Sequence, residues 1–258
     1  MPTAAGLYYF VHQAETAARP PVLLIHGAGG SHLNWPPQVR RLEGQTILAV
    51  DLPGHGKSEG VGRQAIGEYA EDLIRFLDAL KLHSVIAVGH SMGSAIALTL
   101  AVEHPRRVQG LGLLGGGARL QVSPDLLQNA ANPAAFPSVV QWVTEYSYGP
   151  QADPRLKELG ARQMAETRPP VLYGDFLACD EFHALEALPR VQAPTLILVG
   201  ERDRMTPPRL SRILQAGIPA ARLETLPDTG HMLMLEQPET VAALLADFFE
   251  SIPYQPGR

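Results

Sequence analysis

Unbroken apolar runs constrain this chain more than any other feature. "PVLLIHG" (21–27), "QTILAVD" (45–51), "SVIAVGH" (84–90), "GLGLLGG" (110–116) and "PTLILVG" (194–200) are apolar without alternation, and Gly, Pro or Asp bounds each. Alternation with period two marks a strand with one wet face. A continuous run marks a strand covered on both faces, as in parallel sheets with helices above and below. "GLYYFVHQ" (6–13) and "ARLETLP" (221–227) predict two weaker strands. Helical patterns fill the gaps. Ile66, Tyr69, Ala70, Leu73, Ile74, Leu77 and Leu80 share one helix face. Residues 91–103 are rich in Ala, Leu and Ile and stop before Pro105. Thr206 and Pro207 predict an N-cap followed by proline at the first helical position. Gln237-Pro238 opens a last helix with Val241, Leu244, Leu245 and Phe248 inward. The fold class is α/β, with a mostly parallel central sheet flanked by helices.

The alternation fails at 119–188, which is proline-punctuated and helix-like. This segment reads as an insertion over the carboxyl ends of the strands, with 1–118 and 189–258 forming the core. A net charge of −5 gives no basic footprint for nucleic acid or an anionic membrane. Cys179 is the only cysteine, so no internal disulfide can form and a reducing compartment fits. The first twenty residues lack the basic and apolar regions of a signal peptide, and no window is long and apolar enough to span a membrane. The expectation is a cytoplasmic protein without membrane or nucleic-acid partner; composition leaves its oligomeric state open.

Within "IAVGHSMGSAIALTL" (86–100), a buried strand breaks at G-H-S-M-G and restarts as a helix. G-x-S-x-G in that setting is a nucleophile elbow: a strained corner lifts the Ser91 hydroxyl clear of the sheet. A serine hydroxyl needs an imidazole to take its proton and an acid to orient that imidazole, following in the order acid, then histidine. Four histidines lie beside or after the serine: His90, His104, His183 and His231. His90 belongs to the elbow and faces away, His104 ends the elbow helix, and His183 lies in the insertion. His231, in the Gly-preceded loop after the last strand, is the expected base. Asp203, in "LILVGERDRMTPP", is the expected acid, with Glu201 as fallback. Asp51 instead reads as fixing its own loop through bonds to backbone N–H groups. The oxyanion donors are expected at the N–H groups of Met92 and Ala28, the latter in the glycine-rich "HGAGGSHLNW".

Other patterns carry less. G-L-G-L-L-G (110–115) matches a dinucleotide fingerprint but lies inside an apolar run, so it reads as a close-packed strand. "DLPGHGKS" (51–58) has Asp where a phosphate loop needs Gly, and no histidine pair has metal-ligand spacing. Neither cofactor nor metal is expected. Trp35, Trp142 and the tyrosines read as packing.

Five stretches in order, "LLIHGAGGSHLNW", "ILAVDLPGHGKSEG", "VGHSMGSAIAL", "PTLILVGERDRMTPP" and "DTGHMLMLEQPE", resemble the α/β-hydrolase superfamily over essentially the whole chain. The resemblance implies Ser91 as nucleophile, Asp203 as acid, His231 as base, Ala28 and Met92 as oxyanion donors, and 119–188 as a cap that shapes the pocket. The chain looks most like small capped carboxylesterases and enol-lactonases. Serine at the elbow disfavours haloalkane dehalogenases and epoxide hydrolases, and Met232 disfavours carbon–carbon hydrolases with an aromatic there. A carboxylesterase on small, uncharged, partly hydrophobic esters is the first expectation. A lactonase or carbon–carbon hydrolase with the same triad is the second, to be recognised by a charged cap residue among Arg119, Arg162 and Arg168. A non-catalytic binding protein on the same fold is the third.

Overall fold

The structure is a computed structural model that describes residues 2–15 and 19–253. The outermost residues of the expected core segments, 1 and 254–258, therefore lie outside the described residues, as do 16–18 of the first twenty. An antiparallel edge comes first: β1 (Thr3–Ala4) pairs with β2 (Leu7–His12). Then follow β3 (Val22–Ile25), the short α1 (Pro37–Arg40), β4 (Ile47–Val50), α2 (Ile66–Ala79), β5 (Val85–His90), α3 (Met92–Glu103) and β6 (Val108–Leu114). Four helices occupy the proline-rich stretch: α4 (Pro124–Ala130), α5 (Phe136–Ser147), α6 (Pro154–Ala165) and α7 (Pro169–Glu181). The sheet resumes with β7 (Thr195–Gly200), α8 (Pro208–Gly217) and β8 (Ala221–Leu226), and the described chain closes with α9 (Leu233–Glu236) and α10 (Pro238–Ser251).

The eight strands form one sheet in the order β1-β2-β4-β3-β5-β6-β7-β8. From β4 to β8 all pairs are parallel; β2 meets β4 antiparallel. Each strand expected from the sequence is present, and β1 adds two residues too short to leave a pattern. The apolar runs are continuous because their residues alternate between two cores. Leu23, Ile25, Ala87 and Leu113 join α2 and α3 on one face. Val22, Leu24, Val88 and Leu114 join α10 and Trp35 on the other. At roughly 2 kcal/mol per large apolar side chain withdrawn from water, these two layers dominate the folding free energy. G-L-G-L-L-G lies along β6, where Gly112 faces the Val88 side chain and Gly110 faces Ile252.

One helix start differs from the expected one. α8 begins at Pro208 with Pro207 at the cap position, one residue later than the Thr206-Pro207 reading. The Thr206 hydroxyl is engaged elsewhere, with the Gly115 carbonyl at 2.8 Å and Asp203 at 2.8 Å. A third apolar cluster, with Leu126, Phe136, Val140, Val143, Leu172 and Phe176, is built from α4, α5 and α7; Ala28 and Met205 of the flanking segments pack against it. Among the described residues no helix is long and apolar enough to cross a membrane.

Candidate active site

The chain turns sharply where β5 ends. Ser91 sits at φ 54°, ψ −119°, a region that costs a non-glycine residue about 1–3 kcal/mol. Its N–H bonds the Leu114 carbonyl of β6 at 2.9 Å, and its carbonyl accepts from Ser94 N–H at 2.9 Å. Small residues make the corner possible: a side chain at Gly89 would collide with the Gly93 carbonyl, and one at Gly93 with the Ile25 and His26 carbonyls. Strand, elbow and helix therefore lock together, and Met92 begins α3 with its N–H lacking an acceptor among the described residues.

His231 and Asp203 meet although 28 residues separate them. The imidazole Nδ1 lies 2.8 Å from Asp203 Oδ2. A carboxylate only accepts, so Nδ1 carries a proton, and in the neutral form of the ring the lone pair is then on Nε2. Nε2 has no partner among the described residues, and His231 and Ser91 line the same cavity. The acid is held on every side. Oδ1 accepts from Met205 N–H (2.9 Å) and Thr206 N–H (2.8 Å), while the Thr206 hydroxyl reaches Oδ2. Burial alone would push the Asp203 carboxyl up; His231 and these hydrogen bonds outweigh it and hold the group below the usual carboxylate range. Glu201, the fallback, is exposed, accepts from Asp228 N–H and lies 3.7 Å from Arg202, with no hydrogen bond to the imidazole among the described residues.

Of the other candidates, His90, expected to face away, lines the cavity instead. His90 lies under His231 with ring centroids 4.7 Å apart, and its Nε2–H donates to the His231 carbonyl at 2.9 Å. Burial, aided by His231, pushes the His90 imidazole down to about 3, so it is a neutral support. His104 ends α3 beside Glu71. His183 lines the cavity and its backbone bridges to Arg119. Asp51 is fully buried and accepts from Lys57 N–H in its own loop, and also from His32 N–H and the His32 ring. Ala28 lines the cavity from the β3–α1 loop, and its N–H has no acceptor among the described residues.

Residues 20–238 match the family described as alpha/beta hydrolase fold. The chain belongs to that family. A pimeloyl-[acyl-carrier protein] methyl ester esterase of Neisseria meningitidis is 29% identical over 242 residues, covering 89% of this chain and 92% of the relative. A protein named as the carbamate hydrolase RutD of Azorhizobium caulinodans is 30% identical over 262 residues, 95% of each chain. Among solved structures, the enol-lactonase from Burkholderia xenovorans superposes with a TM-score of 0.88 at 24% identity, over 95% of this chain and 96% of that one. That likeness is one of fold.

The cavity of this α/β hydrolase encloses about 560 Å³. Leu120, Val122, Leu126, Val143 and Phe176 form apolar wall, all from 119–188. Arg119, Arg204 and Arg209 are its charged lining, and among the described residues no Asp or Glu lines it. Arg204 is held by the Glu145 carbonyl and lies 4.3 Å over the Tyr146 ring, which stacks on Trp142 at 4.2 Å. Trp142, read from sequence as packing, is thus 38% exposed in a three-layer stack at the rim. An aromatic in an amphipathic helix gives the same sequence pattern in both roles. Trp35 is fully buried, as expected. Sequence reasoning also missed Thr206, whose hydroxyl bridges Gly115, Asp203 and His231 Nδ1.

Proposed function

We propose that this protein is a serine hydrolase of carboxylic esters, with Ser91 as nucleophile, His231 as general base and acid, and Asp203 as the orienting carboxylate. The observation that carries this reading is the combination of a strained Ser91 and a His231 whose Asp203-bound Nδ1 leaves Nε2 free, both lining one cavity. Ser91 Oγ attacks the ester carbonyl carbon as His231 Nε2 takes its proton, and the carbonyl π pair moves onto oxygen. The resulting oxyanion lies between the N–H groups of Ala28 and Met92, each worth about 3 kcal/mol of transition-state stabilisation. Collapse expels the alkoxide, which receives the proton from His231, and leaves Ser91 acylated. Water, deprotonated by the same imidazole, attacks the acyl-enzyme and regenerates Ser91 with release of the acid.

Residues 119–188 act as the cap in this reading, closing the cavity over the elbow. Their apolar wall supports a partly hydrophobic acyl or alcohol group. A second reading, a lactone or carbon–carbon bond cleaved by the same triad, is favoured by Arg119, the one of the three expected cap arginines that lines the cavity. Arg162 lies near Glu158, 3.7 Å away, and Arg168 donates to the Gly60 carbonyl at 2.6 Å. Hydrolysis rates on p-nitrophenyl esters of graded acyl length, with ω-carboxylate esters and lactones alongside, test both. Neutral esters turned over fastest support the carboxylesterase. A preference for anionic lactones supports the second reading. Inactivity on all of them, with Ser91 unreactive, contradicts both.

A further inference from the structure

The loop that carries Ala28 is held from both sides, and one of its holders comes from α7. Asp175 is fully buried although it lies among the apolar residues of "VLYGDFLAC". Its Oδ2 accepts from Gly29 N–H at 2.8 Å and from His55 Nε2 at 2.8 Å, and its Oδ1 accepts from Tyr69 Oη at 2.6 Å. His55 Nδ1 lies 3.0 Å from the Pro53 carbonyl. A carbonyl and a carboxylate both accept, so both ring nitrogens donate and His55 is an imidazolium paired with Asp175. A second residue of the same insertion, Thr167, donates its hydroxyl to the Gly29 carbonyl at 3.0 Å.

Gly29 follows the expected oxyanion donor, and its backbone occupies φ +61°, where a side chain would press on Leu172. The peptide plane before Ala28 is fixed through the Gly27 carbonyl, which accepts from Gly30 N–H (3.1 Å) and His26 Nδ1–H (2.8 Å). The Ala28–Gly29 peptide is held through its Gly29 N–H by Asp175, and the Gly29–Gly30 peptide through its carbonyl by Thr167. A donor aimed at a developing oxyanion loses much of its value when the backbone that carries it can shift. We propose that Asp175 is a positioning residue: by holding the Gly29 N–H it anchors the backbone that follows Ala28 and so keeps the Ala28 N–H in place, so that the docked cap completes the oxyanion hole. This inference rests on the hydrolase reading above.

The test is steady-state kinetics on a short p-nitrophenyl ester, together with inhibition by a trifluoromethyl ketone, whose adduct with Ser91 carries an oxyanion. Asp175→Asn is the decisive variant. Its amide can donate to a neutral His55 and accept from Tyr69, which leaves an NH2 group facing Gly29 N–H. The expected result is a kcat loss of about 10- to 100-fold, somewhat less than outright removal of a donor. Inhibitor affinity should fall in parallel, while KM stays within about twofold because Asp175 does not line the cavity. Tyr69→Phe also disturbs this carboxylate but leaves the Gly29 bond, so it should lower Tm with kcat within about twofold of wild type. Thr167→Ala, at a half-buried position, should give a smaller loss of about three- to tenfold and decides the matter if Asp175→Asn fails to fold. Unchanged kcat and inhibitor affinity in the folded variants, or losses that follow Tm equally in Tyr69→Phe, would overturn the proposal while wild-type turnover upheld the hydrolase. Wild-type protein without turnover or Ser91 adduct would remove the hydrolase reading and this inference with it.

Discussion

Two of the buried histidine–aspartate pairs among the described residues, His231–Asp203 and His55–Asp175, are chemically alike and differently surrounded. Each is joined at 2.8 Å, and both carboxylates are shielded from water. The difference lies at the other ring nitrogen. His55 Nδ1 is committed to the Pro53 carbonyl, so the ring is charged, closed on both sides and unable to take a proton. His231 Nε2 has no partner among the described residues and lies beside the cavity that Ser91 also lines. A histidine–aspartate contact is therefore a poor mark of a catalytic base by itself; an unoccupied second nitrogen at a cavity is the feature that separates the two.

Substitutions break this comparison in opposite directions. Asp203→Asn should lower kcat by about 10³–10⁴-fold, because the imidazole loses the acceptor that fixes its tautomer. Assay on a p-nitrophenyl ester checks it, and near wild-type rates would shift the acid to Glu201. His55→Ala should act on stability instead, costing about 3–5 kcal/mol by leaving Asp175 as a buried, uncompensated carboxylate; denaturant unfolding measures it. Equal activity losses with equal stability losses in both variants would erase the distinction.

Acidity sharpens the contrast further. Burial opposes the charged His55 ring, but Asp175 outweighs it and the imidazole is held above its usual range. The stability contributed by that pair is fully present below the ordinary histidine pKa and is lost as pH rises through the raised value. Asp203 has the reverse sign: its carboxyl is depressed, so its contribution is present above the ordinary carboxylate range and is lost as pH falls through the depressed value. Tm measured against pH should decline at both ends, and His55→Gln should flatten the alkaline limb alone. The smallest effect is expected at Thr206. Thr206→Val removes the single hydroxyl proton shared between Asp203 and Gly115, worth about 1 kcal/mol, and kcat should fall about tenfold or less.

The legibility of these features in the sequence follows the range over which they act. The strands β3 to β7 were readable because each is one local run buried on both faces, whereas β2 and β8, partly exposed, left weaker signals. The candidates Ser91, Asp203 and His231 were legible as a set because each follows a strand within a short motif of fixed order, and the structure joins the last two. The Asp175 contact was not, since 146 residues separate it from Gly29 and the "GHG" carrying His55 resembled only a failed phosphate loop. Its one local sign was a lone carboxylate at a helix position otherwise lined by Val171, Leu172, Phe176 and Cys179. Thr206 was misread for a related reason: Thr-Pro is a sound local capping signal, but the hydroxyl has a stronger use beside Asp203 and Gly115. The rim stack of Arg204, Tyr146 and Trp142 depends on two segments meeting, and neither announces the other.

Reaction of the folded wild-type protein with a fluorophosphonate, read by intact mass and peptide mapping beside His231→Ala, tests the central claim most directly. One stoichiometric adduct on the Ser91 peptide, formed rapidly in wild type and slowed at least about a thousandfold without the imidazole, is the predicted result. Folded protein that gives no adduct at Ser91, or labels equally fast without His231, would contradict it.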